Sequence, residues 1–101
     1  MKMIILTFRN TLEVEIRSLL EKSRVHAYTE IPKVHGIGEA GSSFGSFTSL
    51  GENSLIFLAV PKEQASQMVK VFQDLRDRLS KDQHDAKIPM KLFVLPCEQI
   101  I

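Results

Sequence analysis

The chain has 101 residues, and this length fits one domain because a second hydrophobic core would leave each half too little apolar surface to bury. Hydrophobic residues make up 44% of the sequence and charged residues 25%, which excludes intrinsic disorder and indicates a globular protein. The 13 basic residues are dispersed among 12 acidic ones, so the charge pattern indicates no partner that is a nucleic acid or an anionic membrane.

The cellular compartment is predicted from what the sequence lacks. Cys97 is the single cysteine, so no internal disulfide can form and a reducing compartment is indicated. The apolar run 3–6 is too short for the core of a signal peptide, and no stretch approaches the roughly 20 apolar residues that span a bilayer. We therefore expect a cytoplasmic protein with no membrane insertion.

The first third of the chain predicts a strand, a helix and a second strand. Residues 3–8 form a short apolar run typical of a central strand. Asn10 or Thr11 predicts a helix cap, and apolar residues then repeat at helical spacing to about Ser23. Residues 25–37 are rich in β-branched and aromatic side chains and predict a long, irregular strand that lies at a sheet edge.

A segment rich in glycine and serine follows at residues 38–53. Its composition predicts a mobile loop, in which Phe44, Phe47 and Leu50 are apolar side chains that need a partner or a ligand to cover them. We therefore interpret these three residues as a partner-binding loop, with packing on the domain itself as the alternative.

The second half of the chain repeats the order of strand and helix. Residues 54–60 predict a third strand, and Pro61 predicts the first position of a helix whose apolar residues recur to Leu79, with Met68 and Phe72 in the core. Residues 80–87 predict a polar connector and residues 90–95 a fourth strand.

This order of elements predicts the α+β ferredoxin-like βαββαβ fold. Two crossovers, each carrying a helix, give an antiparallel four-stranded sheet with both helices on one face. The opposite face of the sheet has no helix to cover it. It carries side chains from apolar strands such as MIILTF (3–8) and SLIFLAV (54–60). We therefore expect a closed homo-oligomer that buries this face.

Three segments resemble the PII signalling proteins, known as the nitrogen regulatory protein P-II family. The segment 29–41, TEIPKVHGIGEAG, is similar to the PII strand that opens into the signalling loop; the segment 59–72, AVPKEQASQMVKVF, to a strand followed by a helix; and the segment 91–100, KLFVLPCEQI, to a late PII strand. The resemblance implies a homotrimer that binds an adenine nucleotide between subunits, contacts a target enzyme or transporter through the 38–53 loop, and catalyses nothing.

The resemblance also assigns an effector site. Gly36 and Gly38 match the paired glycines that line the PII nucleotide cleft, Glu39 follows them, and Lys91 matches a lysine that contacts phosphate. The chain departs from the family pattern because Ile88-Pro89-Met90 replaces glycines and Glu39 replaces an arginine. The usual ATP motif is thus degraded, and no cofactor is assigned with certainty.

A metal-responsive protein is the alternative hypothesis, as in the similar CutA proteins or in PII relatives associated with heavy-metal efflux. His35 lies at the entrance of the 38–53 loop and could ligate a metal with Glu39 or Cys97, because imidazole and thiolate are borderline or soft ligands. An enzyme is the third hypothesis, and the serines at 42, 43 and 46 lack any nucleophile-elbow pattern.

Overall fold

The computed structural model describes residues 1–35, 52–82 and 87–101. Their order is strand, helix, strand, strand, helix, strand, as predicted. The elements are β1 (Lys2–Arg9), a 3₁₀ turn (Asn10–Leu12), α1 (Glu13–Lys22), β2 (Thr29–Val34), β3 (Asn53–Val60), α2 (Lys62–Asp82) and β4 (Met90–Pro96).

The four strands form one sheet in the order β2-β3-β1-β4, and all three pairs are antiparallel. β1 is central, with Ile5 opposite Phe57 of β3 on one side and opposite Phe93 of β4 on the other. β2 and β4 are the two edges. This arrangement confirms the predicted ferredoxin-like α+β fold.

One face of the sheet is covered by both helices. Ile4, Leu6 and Phe8 alternate along β1 and are at most 1% exposed, as expected where every second residue of a strand points to the same side. They pack in a single core with residues of both helices, including the predicted core residues Met68 and Phe72. Burial of this alternating set fixes the register, since a shift of one residue would expose all of it.

Helix α1 begins differently from the prediction, but it ends as predicted, with Ser23 as its C-cap. Neither Asn10 nor Thr11 caps it with a side chain: both lie in the 3₁₀ turn, and the Asn10 N–H donates to the Glu52 carbonyl oxygen at 2.8 Å. At the other end Arg24 has φ 60°, its N–H donates to Glu21 O at 3.0 Å, and the Val25 N–H donates to Leu20 O at 2.9 Å. These two bonds form a Schellman motif.

The predicted second strand was too long at its start. β2 begins at Thr29 and not at Val25, because Val25 is buried as part of the α1 terminus and its N–H bonds to the helix. The register against β3 shifts between Ile31 and Val34, where Pro32 is followed by Lys33 with φ 58°. Pro32 thus lies at an edge and at a bulge, as predicted.

The predicted connector after α2 was also wrong at its start. The helix continues to Asp82, beyond Leu79, because no glycine or proline interrupts 80–82. Pro61 lies just before the helix and accepts the Ala65 N–H at 3.0 Å. Ser80, in this extension, lines a groove with residues of the segment that enters β4.

Candidate functional site

The predicted effector residues divide into two groups. Lys91 lies on β4, exposed, opposite Thr7 of β1. Gly36, Gly38 and Glu39 lie outside the described residues. The partner-loop residues Phe44, Phe47 and Leu50 also lie outside them, so their roles remain predictions.

Lys91 contributes to a groove of about 390 Å³ between the last turns of α2 and the segment that leads into β4. We call this the α2–β4 groove. It is lined by Arg76, Asp77, Ser80, Lys87, Ile88, Met90 and Lys91. A volume of this order is sufficient for a small organic ligand.

Positive charge dominates the α2–β4 groove. Three of its side chains are cations and only Asp77 is an anion, which Arg76 contacts through Nε and Nη2, each at 3.1 Å from Oδ1. Lys87 and Lys91 form no ion pair with any residue that the structure describes. Three of the lining residues are cationic and one, Asp77, is anionic, so this part of the surface favours an anion.

The backbone of the groove offers little to an anion. Pro89 has no N–H, and its carbonyl oxygen accepts the Arg9 N–H at 3.0 Å. The Met90 N–H donates to Ile88 O at 2.8 Å. Pro89 and Met90 therefore offer no free backbone N–H to an anion, in agreement with the degraded phosphate motif.

A second polar cluster joins α1 to β2. The Arg17 Nη2 lies 3.1 Å from Glu13 Oε1 and 3.2 Å from Glu30 Oε1. Burial raises the pKa of the Glu30 carboxyl, whose side chain is only 13% exposed, and a hydrogen bond with Glu13 raises it further, while the positive charge of Arg17 lowers it. The two carboxylates raise the pKa of Arg17. These ion pairs connect α1 to β2, the strand that precedes residues 36–51.

The metal hypothesis gains no site from the described residues. His35 is exposed just after β2, and Cys97 is half-buried after β4, where its N–H donates to Met1 O at 3.3 Å. Within the described ranges 1–35, 52–82 and 87–101, no three His, Cys, Asp or Glu residues are grouped to hold a metal ion. Glu39 and His84 lie outside these ranges, so the role of His35 as a ligand stays a prediction.

The face of the sheet opposite the helices carries apolar side chains that no element of the described chain covers. We call it the open face. Ile5, Phe57 and Phe93 lie in one row across three strands, and Met3 and Leu95 lie in the next. Ile31 at 44%, Leu95 at 45% and Phe93 at 51% are exposed. An exposed apolar surface of this kind is typical of an interface.

The sequence did not reveal the contribution of α2 to the groove. Ser80 was predicted to start a connector, and Arg76 was not singled out. Their spacing of four residues was the available signal, because it places both on one side of the helix. None of the helices in the described ranges is long and apolar enough to cross a bilayer.

The fold is that of a small ferredoxin-like α+β domain whose sheet has one face covered by helices and one face open. The model of the nitrogen regulatory protein P-II family matches residues 1–101. The chain therefore belongs to the nitrogen regulatory protein P-II family, a family of regulatory proteins. No curated protein matches the sequence.

Solved structures agree with this assignment at the level of the fold. CPII, a nitrogen regulatory PII-like protein from Thiomonas intermedia K12 bound to ADP, AMP and bicarbonate, is 20% identical, with a TM-score of 0.66 over 93% of this chain and 82% of CPII. Its apo form has a TM-score of 0.65 at 18% identity, over 93% of this chain and 85% of CPII. A PII-like signalling protein from Thermus thermophilus has a TM-score of 0.57 at 18% identity, over 93% of this chain and 83% of that one.

Proposed function

We propose that this chain is a cytoplasmic, non-catalytic PII-type regulator that assembles as a homotrimer through its open face. The observation that carries this proposal is the apolar row Ile5, Phe57 and Phe93, which crosses three strands on the side without helices. Burying apolar surface stabilises by about 25 cal/mol per Å², so covering this row by other copies favours assembly.

In this assembly, a small effector binds between subunits near Gly36, Gly38, Glu39 and Lys91. The effector class is an adenine nucleotide. Support comes from CPII, whose structure holds ADP, AMP and bicarbonate, and from Lys91 on β4, a cation that forms no ion pair with any described residue. The effector orders the 38–53 segment, which then contacts a target enzyme or transporter through Phe44, Phe47 and Leu50. Ordering a segment in advance raises target affinity because the entropy cost has already been met.

The test of assembly replaces Phe93 with glutamate. A carboxylate cannot be buried without a partner, so Phe93→Glu is expected to convert the trimer into a monomer of 11.4 kDa at micromolar concentration. Sedimentation velocity measures the mass. The matched control is Val14→Glu, because Val14 is 81% exposed on α1, away from the open face, and its variant should stay trimeric. A wild-type protein that is monomeric at this concentration would refute the proposed assembly.

The test of the effector is calorimetric titration of the wild-type protein with ADP, AMP and ATP, and separately with Zn²⁺ and Cu²⁺. Nucleotide heat without metal heat is expected. Metal heat without nucleotide heat would overturn the effector assignment in favour of the metal-responsive alternative.

A further inference from the structure

The edge strand β2 contributes nothing to the hydrophobic core of the described chain. β1 and β3 place buried residues in that core, and β4 packs Met90 and Leu92 against it. None of the six residues of β2 is buried, and none packs against the core. Because segments with few buried apolar contacts open at the lowest cost, β2 is the strand most prone to local opening.

The backbone pairing of β2 is also short. Among the described strands β2 pairs with β3 alone, and the register shifts between Ile31 and Val34. Pro32 has no N–H, and Lys33 has φ 58°, so the ladder is continuous only over residues 29–31. Side-chain contacts therefore carry a large share of what holds this strand in place.

Ion pairs supply such contacts between β2 and α1. Arg17 Nη2 lies 3.2 Å from Glu30 Oε1, 3.4 Å from Glu30 Oε2 and 3.1 Å from Glu13 Oε1. One guanidinium nitrogen thus holds two carboxylates close together. The Glu30 side chain is 13% exposed and that of Glu13 is 33% exposed, so both carboxylates are partly withdrawn from water.

The charges of this cluster do not balance. With both carboxyls ionised it carries two negative charges and one positive charge, and among the described residues Arg17 is the one cation in an ion pair with either carboxylate. On β3 the residue opposite Glu30 is Ile56, which is uncharged. The cleft beside Arg17 contains the other titratable side chains around the cluster, which are Glu21, His26 and Tyr28. Two carboxylates that share one site favour binding of a proton by one of them.

We infer that β2 opens locally from the sheet, and that a proton held by the Glu13–Glu30 pair keeps the strand closed against α1. Opening separates the two carboxyls and returns Glu30 to water. Since the pKa of Glu30 in the closed strand is raised above 4.5, closure is favoured fully below pH 4.5 and opening becomes easier as pH rises through the raised pKa. The contacts lie within one chain; only a consequence for the effector site, which begins at Gly36, rests on the proposed function.

The test is native-state hydrogen exchange followed by NMR in a chain that sediments as a monomer, which is the wild type if it is monomeric and Phe93→Glu otherwise. After correction for the intrinsic pH dependence of exchange, the β2 amides that bond to β3 should exchange through a smaller opening free energy than the amides of β1. Their opening constant should increase from pH 4.5 to pH 7. Equal opening free energies in β1 and β2, or a β2 opening constant that does not change with pH, would refute the inference.

Variants of the cluster test the role of the proton. Glu30→Gln cannot ionise, so the β2 opening constant should lose its pH dependence. Arg17→Gln removes the cation, so at pH 7 the opening constant should rise about twofold to fivefold. Its pH dependence should also move to higher pH, because a carboxyl pair without a nearby cation holds a proton more tightly. A shift of this kind cannot arise from a general loss of stability.

Arg78→Gln is the matched control. Arg78 lies 3.9 Å from Glu15, an ion pair that joins α2 to α1 and does not involve β2. This variant should leave both the β2 opening constant and its pH dependence unchanged. Equal effects of Arg17→Gln and Arg78→Gln would refute the assignment to the cluster.

The outcomes separate this inference from the proposed function. A wild-type protein that is monomeric refutes the proposed assembly, and the exchange data then still test the opening of β2. If β1 and β2 open together in the Phe93→Glu monomer while the wild type is a trimer, the inference fails and the assembly stands.

Discussion

The two faces of the sheet are made by alternate residues of the same strands, but they differ in what covers them. On β1, Ile4 and Leu6 face the helices and are at most 1% exposed, while Met3 and Ile5 face the other way and stay half-buried. Composition does not separate these positions, because isoleucine occurs on both faces. The difference is therefore one of covering layers, and it indicates that the apolar residues of the open face serve association more than the fold of one chain.

The edge strand β4 sharpens this contrast. Phe93 and Leu95 lie on the open face, and Val94 on the helix side is still 39% exposed. Among the described residues β4 pairs only with β1, so its other edge has no strand partner in that part of the chain. The opposite edge, β2, is interrupted by Pro32 and a bulge, features that discourage strand addition. β4 is thus the edge more open to a neighbouring subunit.

The largest expected effect comes from truncating the covered face. Ile4→Ala removes methyl and methylene groups from a site that is 0% exposed and should lower the free energy of unfolding by about 2–5 kcal/mol. A small domain has only about 5–15 kcal/mol in total, so the midpoint of urea denaturation should fall strongly. Urea titration followed by circular dichroism measures it.

Ile5→Ala is the matched control, because it deletes the same groups from the next residue of β1. In a dilute monomer, such as the Phe93→Glu background, it should cost no more than about 1 kcal/mol. Without that background the cost should grow with protein concentration, because assembly contributes to stability. Equal losses at both positions in the monomer would show that the two faces do not differ.

Much of this contrast could be predicted from the sequence. Residues 3–8 and 54–60 are apolar at almost every consecutive position. Because alternate residues of a strand point to opposite faces, this pattern predicts strands with apolar side chains on both faces. The order of elements gave the ferredoxin-like fold. Periodicity also placed Met68 and Phe72 in the core, because helical spacing is a local property.

The groove and the polar cluster could not be predicted, because they depend on residues that are distant along the chain. Arg17 and Glu30 are 13 residues apart and meet only when β2 packs beside α1. Arg76 of α2 and Lys91 of β4 line one groove only once the helix packs beside that strand. Boundaries of elements were missed for a similar reason, since Val25 has a strand-forming side chain but completes the end of a helix.

An intermediate effect is expected in the helix layer that covers the sheet. Arg24 has φ 60° at the end of α1, a conformation that costs a non-glycine residue about 1 kcal/mol, so Arg24→Gly should stabilise the protein by about 0.5–1 kcal/mol. The Schellman bonds use backbone atoms and are kept. Lys70→Gly is the control in the middle of α2, where glycine should instead destabilise by about 1 kcal/mol. Urea midpoints compare the two, and a loss of stability in Arg24→Gly would contradict the strain assigned to Arg24.

The smallest expected effect is a change in how stability depends on pH, and it arises from Glu30 on the face of β2 that the helices cover. Glu30 lies opposite Ile56 and contacts α1 through Arg17. Because burial raises its pKa above the ordinary value of 4.5, the folded state binds this proton more tightly than the unfolded state. The contribution to stability is therefore complete below pH 4.5 and is lost as pH rises through the raised pKa.

Glu30→Gln cannot ionise, so this decrease of stability with rising pH should vanish from a series of urea midpoints measured between about pH 4 and pH 7. The variant also loses the ion pair with Arg17, which changes the level of stability but leaves the slope argument intact, since Arg17 stays charged throughout. Glu63→Gln, at an exposed position of α2 without an ion pair to any described residue, should keep the wild-type slope. If the urea midpoint of Glu30→Gln still falls with rising pH as in the wild type, burial of the Glu30 carboxyl is not the cause of this pH dependence.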